Sequence, residues 1–442
     1  MFGKFKKLML LLMFVPMGAL ISGAQDSLKL SLDEAVKLGL EQNTNIKNSK
    51  LDLQIAQKKI NETIAMGLPH FDIKSAYTFL PVVPTLDFGM PGTENSGPIE
   101  LGVKNNVVTD FVVSQLIFNG AYIVGVQASK IYFSYSEQND EKTRLDVRES
   151  VINTYQMIQL GEESMKILQQ NLDNVIKTQN EIKEMYNQGF TEKTDVDQLE
   201  VTANVLRNTM NQVESNLDMS YRLLKIQLGV DESVNISLSD STKTDESLLS
   251  ESLQVLNEKF VLENNIDYKL IETSKQLAIL DLKREKSNYL PVISGFYSHT
   301  EKLNAPAFDF APKDVLGLNL SLPIFTSGQR MAVVNQKKMA VEKTENTRIL
   351  VSNSLLMQAN QLQSDVKIKL EKYQNQKLSR DLSFDIYDRT LEKYRQGMAT
   401  SMDLMNSQNQ YLTNLTNYYQ YMFDLQGAIT KLEKLFNINQ IQ

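Results

Sequence analysis

Side chains able to do covalent chemistry are sparse in this sequence. It has no Cys and only two His, His70 and His299. Thiol nucleophiles, disulfides, iron–sulfur clusters and Cys-zinc sites are out of reach, and so is metal or triad chemistry built on several histidines. No phosphate loop, pair of catalytic acids or nucleophile elbow occurs, so the sequence predicts no enzyme, no nucleotide site, no metal and no cofactor. One constellation does recur. Tyr186-Asn187-Gln188-Gly189 is followed by Asp195-Val196, and Tyr394-Arg395-Gln396-Gly397 by Asp403-Leu404, at a constant offset of 208. A phenol, a carboxylate and a Gly, which allows the backbone to reverse, do not by themselves make a reaction centre. Asp at that place also suits the first turn of a helix, where it caps free amides.

The chain that must position these turns is long, acidic and poor in breakers. It has 442 residues, 46 basic against 53 acidic, with 19 Gly and 10 Pro. A net charge of −7 makes it a poor candidate for coating nucleic-acid phosphates. Lys4, Lys6 and Lys7, the apolar run Leu8 to Ile21, and Ser22-Gly23-Ala24 read as an export signal, residues 1–24, with Gln25 the expected mature N-terminus. Past residue 24 no run of apolar residues is long enough for a spanning helix. The exported chain is then either soluble outside the inner membrane or held in an outer membrane by β-strands.

Other landmarks repeat as well. Ala56…Leu68-Pro69 matches Ala278…Leu290-Pro291, and Ile117-Phe118-Asn119-Gly120 matches Ile324-Phe325-Thr326-Ser327-Gly328. With the Tyr–Gly–Asp turns they divide the chain into residues 25–245 and 246–442. Each half is expected to run helix, strand, strand, long helical hairpin. Ser31 with Glu34 is a capping-box start for a helix reaching about Gly67. Period-two alternation predicts strands over 71–79, 107–118, 292–300 and 315–325, with residues 81–106 a long loop. His70 and His299 then fall at a strand start and a strand end, solvated or interfacial. From Asn119 to Gly189 there is no Pro; about 70 helical residues would span roughly 105 Å. Gly328 to Gly397 is the counterpart. Steps of three and four mark coiled-coil seams, most clearly at Tyr411, Leu415, Tyr418, Met422, Leu425, Ile429, Leu432 and Phe436.

Strands of this length suit a tilted membrane barrel. Four cannot enclose a lumen, because membrane barrels start at about eight, and open edges are costly in lipid. A barrel would have to be shared, and three chains would supply 12 strands. A soluble periplasmic coiled-coil scaffold or adaptor is the competing reading. An adaptor has one hairpin beside a lipoyl-like β-domain, whereas this sequence offers two hairpins and two strand pairs.

Taken together, Leu68-Pro69, Leu290-Pro291, Gln115 to Gly120, Leu322 to Gly328 and the two Tyr–Gly–Asp turns, in duplicated order, resemble the TolC-like outer-membrane efflux protein family over the whole mature chain. The resemblance implies a mainly α fold with a small transmembrane β part. It implies a homotrimer whose 12-stranded barrel continues into a periplasmic α-helical barrel, with residues 230–250 and the C-terminal end in an equatorial belt. It implies an outer-membrane export duct, in contact with lipid and extending into the periplasm, that passively serves an inner-membrane pump through a periplasmic adaptor. By the same resemblance, Gln188, Gly189, Phe190 and Thr191, with Gln396, Gly397, Met398, Ala399 and Thr400, form the tips that meet the adaptor. Asp403 lines the closed entrance as a ring of three. Asn406 stands where the family often has a second acid. Tyr394 ties the inner hairpin to the outer one at Asp195, beside Thr194. The family arginine two residues past the tip Gly is Ala399 here, leaving Arg395 as a replacement link.

Overall fold

The computed structural model describes residues 27–86, 99–305 and 309–438. The expected export signal and residues 87–98 of the 81–106 loop lie outside them. The elements in chain order are β1 (Ser27–Leu30), α1 (Leu32–Gln42), α2 (Thr44–Ala65), β2 (His70–Phe79), β3 (Thr85–Leu86), β4 (Ile99–Glu100), β5 (Asn105–Asn119), α3 (Gly120–Asn187) and α4 (Lys193–Leu228). Then come β6 (Asn235–Leu238), α5 (Asp245–Asn257), α6 (Ile266–Ser287), β7 (Val292–Lys302), β8 (Asp314–Ser321), α7 (Gln329–Arg395) and α8 (Ser401–Phe436).

Four strands form one antiparallel sheet in the order β2-β5-β7-β8. Its register sorts the side chains onto two unlike faces. Phe71 pairs across to Val113, Val113 to Tyr297 and Tyr297 to Leu316, so these share a face, with Ile73, Leu318 and Leu320 along it. On the other face lie Asp72, Lys74, Asp110, Thr300 and Asn319, and the Thr300 hydroxyl donates to Asp110 at 2.6 Å. The apolar face is uncovered in the single chain: Leu316 is 84% exposed. In water that is an unfavourable arrangement, since each such side chain forgoes about 1.5–3 kcal/mol of burial. Both edge strands, β2 and β8, are also unpaired on their outer sides.

Several boundaries differ from the expected ones by one or two residues, β5 beginning at Asn105 and β7 running to Lys302, and three differences have a local cause. The helix expected from Ser31 to Gly67 is two, α1 and α2. Asn43 interrupts it, its carboxamide accepting from the Asn45 amide at 2.8 Å and donating to the Gln227 carbonyl at 2.7 Å. The last strand stops at Ser321 rather than at 325, because Pro323 has no N–H for the ladder and restrains Leu322 before it. β5 runs to Asn119 and carries a bulge at Ile117, where the register against β7 shifts.

The two long helices have 68 and 67 residues. Nothing inside them removes an amide, and Asn119 caps the first by accepting from the Tyr122 amide. Antiparallel partners α4 and α8 return from each far end, and the four helices share a core there of Leu172, Val175, Leu199, Leu206, Leu391 and Leu404, among others. All eight expected seam residues of α8, Tyr411 to Phe436, are buried. Midway along, β1 pairs in parallel with β6, and α1, α3 and α4 close over them. The helix α5 lays Leu248 and Val255 between α7 and α8.

Candidate functional site

The two hairpin tips are built alike. At the first, the Gly189 amide donates to Tyr186 O and the Phe190 amide to Met185 O, both at 2.9 Å; at the second, Gly397 donates to Tyr394 O at 2.9 Å and Met398 to Lys393 O at 2.8 Å. These paired bonds are the Schellman stop, which satisfies carbonyls the ending helix leaves free. The stop needs a left-handed residue, and Gly189 and Gly397 have φ of +82° and +72°. Just beyond each Gly stands a large exposed apolar side chain, Phe190 at 74% and Met398 at 66%. Gln188 and Gln396 are exposed beside them. Thr191 is turned inward, donating to the Asp195 carboxylate. Ala399 is half-buried against the hairpin core.

The next helix of each hairpin opens on its Asp. Asp403 accepts from the Thr400 amide at 3.0 Å and hydroxyl at 2.7 Å, while its own amide donates to the Thr400 oxygen at 3.1 Å. The Thr400 hydroxyl and amide hold its carboxyl below the usual aspartate range. Asp403 is thus a helix cap with its carboxylate still exposed, and Asn406 is exposed one turn on. Asp195 is more enclosed. Burial alone would raise its carboxyl, but the hydroxyls of Ser401 and Thr191 and the Glu192 amide outweigh it and hold it below the usual aspartate range. Thr194 makes only a local bond, to Glu192 at 3.2 Å.

The expected hydrogen bond from Tyr394 to Asp195 is absent. The Tyr394 ring is 7% exposed, packed in the four-helix core, and its buried hydroxyl has no partner. The Asp195 oxygen that accepts Thr191 and Glu192 is already taken. Burial and the nearby Asp195 charge push the phenol up to about 12, so it stays neutral. Two other contacts join the hairpins at this level. Ser401 of α8 reaches Asp195 of α4, and Arg395 of α7 pairs with Glu181 of α3 at 3.5 Å while holding Glu392 at 3.0 Å. The Arg395 link was legible as a replacement for the missing arginine. Ser401 was not singled out, although it departs from the repeat, which has Lys193 at that place.

No protein-family model matches the chain, and no curated protein does. Solved structures do. The outer membrane channel CmeC of Campylobacter jejuni superposes with a TM-score of 0.74 at 17% identity, over 92% of this chain and 85% of that one. VceC, an outer membrane protein of Vibrio cholerae, gives 0.73 at 13% identity, over 92% and 95%. The open state of the MtrE outer membrane channel of Neisseria gonorrhoeae gives 0.69 at 14%, over 92% and 88%. This chain has the TolC-like channel fold. In that fold the sheet and the hairpin tips are opposite ends of one long protomer, so the apolar sheet face and the Gly189 and Gly397 turns belong to different surroundings.

Proposed function

We propose that the protein is the outer-membrane export duct of a tripartite efflux or secretion system. It conducts substrates passively from an inner-membrane pump and a periplasmic adaptor to the exterior. The observation that carries this is the four-stranded sheet, apolar and uncovered on one face, polar on the other and open at both edges. Three copies joined edge to edge would close 12 strands into a barrel, with the apolar face to lipid and Asp72, Lys74, Asp110 and Asn319 to water. The helices support the same assembly. Val201, Val205, Met219 and Ile226 of α4, and Met339, Leu350 and Met357 of α7, are exposed at near-heptad spacing, as seams between copies would be. The repeated order of elements in residues 25–245 and 246–442 makes each copy contribute two similar wall segments.

At the far end the exposed Phe190 and Met398, with Gln188 and Gln396, are the surface offered to an adaptor. Three Asp403 carboxylates around the axis form one acidic ring, and Asn406 adds none. The reading is tested by fractionation and conductance together. The protein should pellet with outer membranes, run as a heat-sensitive trimer, and form ion-conducting pores in planar bilayers. Recovery as a soluble periplasmic monomer would favour a scaffold or adaptor instead.

A further inference from the structure

The two ends of the apolar sheet face are finished differently. Where α2 leads into β2 and β8 leaves toward α7, the face carries Phe71, Ile293 and Leu320, and past β8 the side chains of Leu322, Ile324 and Phe325 are exposed. At the end away from the helices, polar groups take over the same face. The register sets Ile73, Phe111, His299 and Asp314 in one cross-strand row and Ser75, Thr109 and Glu301 in the next. Alternation along β2 adds Tyr77 and Phe79, both exposed.

The polar atoms of these rows bond to one another. Asp314 accepts from the Tyr297 hydroxyl at 2.6 Å, and the His299 ring lies between Asp314 at 2.7 Å and Glu301 at 3.3 Å. The Lys313 ammonium donates to Glu301 at 3.2 Å. Ser75 and Thr109 bond at 3.0 Å, and Tyr77 donates to Asn105 at 2.9 Å. Lys104 stands at the rim, its ammonium 5.8 Å from the Phe79 ring centre. Among the described residues no carboxylate holds it.

Each feature fits the level where hydrocarbon gives way to headgroups. A tyrosine there keeps its ring in apolar surroundings and its hydroxyl in polar ones. Polar groups that satisfy each other tolerate sparse water. The rows run across the interior strands β5 and β7, so a copy pairing at the edges β2 and β8 leaves them uncovered. They also lie on the opposite side of the sheet from Asp72, Lys74 and Asp110. Asp314 and Glu301 would repel an anion, but Tyr297, His299 and Lys313 engage them, and Lys104 is the charge left over.

We propose that this row is a docking surface for the phosphate groups of outer-leaflet lipid. Lys104 is the phosphate-facing cation, and Tyr77 and Tyr297 mark the level where hydrocarbon ends. The proposal rests on the duct reading for the presence of a bilayer on this face.

Two measurements on the full chain test it. The sequence has no Trp, so Leu318→Trp and Tyr77→Trp each give a single reporter in phosphatidylcholine vesicles holding a lipid brominated at a deep or a shallow chain position. Leu318→Trp should be quenched best by the deep label and Tyr77→Trp by the shallow one. No quenching at Leu318→Trp would sink the duct reading; quenching there with the same depth profile at Tyr77→Trp overturns the proposal alone. Native mass spectrometry of the detergent-purified protein then reads binding of bis-phosphorylated lipid A against its dephosphorylated form. Lys104→Gln should weaken binding of the phosphorylated form about fivefold, Lys104→Arg should restore it, and Lys74→Gln on the other face should match the wild type. Equal binding of the two lipid forms, an unaffected Lys104→Gln, or an equal loss in Lys74→Gln overturns the proposal. Competition by inorganic phosphate at matched concentration would also overturn it, since the site would then take the free ion and not a lipid surface.

Discussion

The tip chemistry turns on a few polar atoms whose partners decide their worth. Tyr394 carries a buried hydroxyl with nothing to bond, so Tyr394→Phe should not open the tip. It should change unfolding stability by less than about 1 kcal/mol, upward rather than downward, with pore conductance unaltered. Ser401→Ala combined with Arg395→Ala removes the links that exist. Each exposed or half-exposed contact is worth about 0–1 kcal/mol, but in the proposed trimer three copies would act at once, and conductance in planar bilayers should rise. A rise with Tyr394→Phe and none with the double variant would reverse the assignment. Asp195 gives the sign of the pH response. Its folded carboxyl is held below the usual aspartate range, so its contribution is complete above that range and is lost as the pH falls through the lowered folded value. Conductance should therefore climb on acidification below the usual aspartate range in the wild type and less so in Asp195→Ala. Asp403→Ala should cost about 1 kcal/mol as a lost cap and weaken cation preference; a lost cap with selectivity intact would confine it to capping. The carboxylates and Gly turns were legible because capping and chain reversal are local rules. The Tyr394 partnership was not, since it depends on how four helices pack, and local spacing cannot tell a buried phenol with an acceptor from one without.

For the elements, the lesson is where periodicity suffices and where a single residue overrides it. The α8 seam from Tyr411 to Phe436 could be read residue by residue, and all of its eight seam positions are buried, because a three-four step over about seven turns has one apolar stripe to hide. The break at Asn43 and the end of β8 before Pro323 went against equally good patterns, the first through a carboxamide that finds a carbonyl in α4, the second through a missing donor. The duplicated tips show the limit most plainly. Tyr186 and Tyr394 occupy equivalent places, yet Tyr186 is 41% exposed and Tyr394 is buried, because only the second hairpin turns that side toward its neighbour. At both tips the Gly is held by the backbone alone, with open space where a Cβ would stand. Gly189→Ala and Gly397→Ala should each cost about 1 kcal/mol through strain at positive φ, as measured by denaturant melts. Equal costs would mark the two stops as energetically independent of the burial around them. In the sheet, cysteines placed singly at Leu318 and Asn319 should differ in labelling by a water-soluble thiol reagent in intact outer membranes, with Asn319 the reactive one. Since the chain has no native Cys, equal labelling would count directly against lipid on one face and water on the other.

At the scale of the molecule, four strands with two unpaired edges make an incomplete object, and the sequence already implied as much by offering strands of membrane length in too small a number. What it could not convey is which edges meet. The order β2-β5-β7-β8 leaves β2 and β8 outermost, so paired cysteines scanned along His70–Phe79 and Asp314–Ser321 should cross-link between copies and never within one. Cross-links confined to single chains would rule out edge-to-edge closure. The same two open edges govern how such a pore comes into being. A lone sheet cannot enter hydrocarbon, because each unpaired amide and carbonyl along its edges would be stranded there. Docking of the copies and entry into the bilayer must therefore be one event. The rate of pore appearance should then depend on chain concentration with an order well above one, and a chain arriving alone would wait in the periplasm with its apolar face needing a temporary cover.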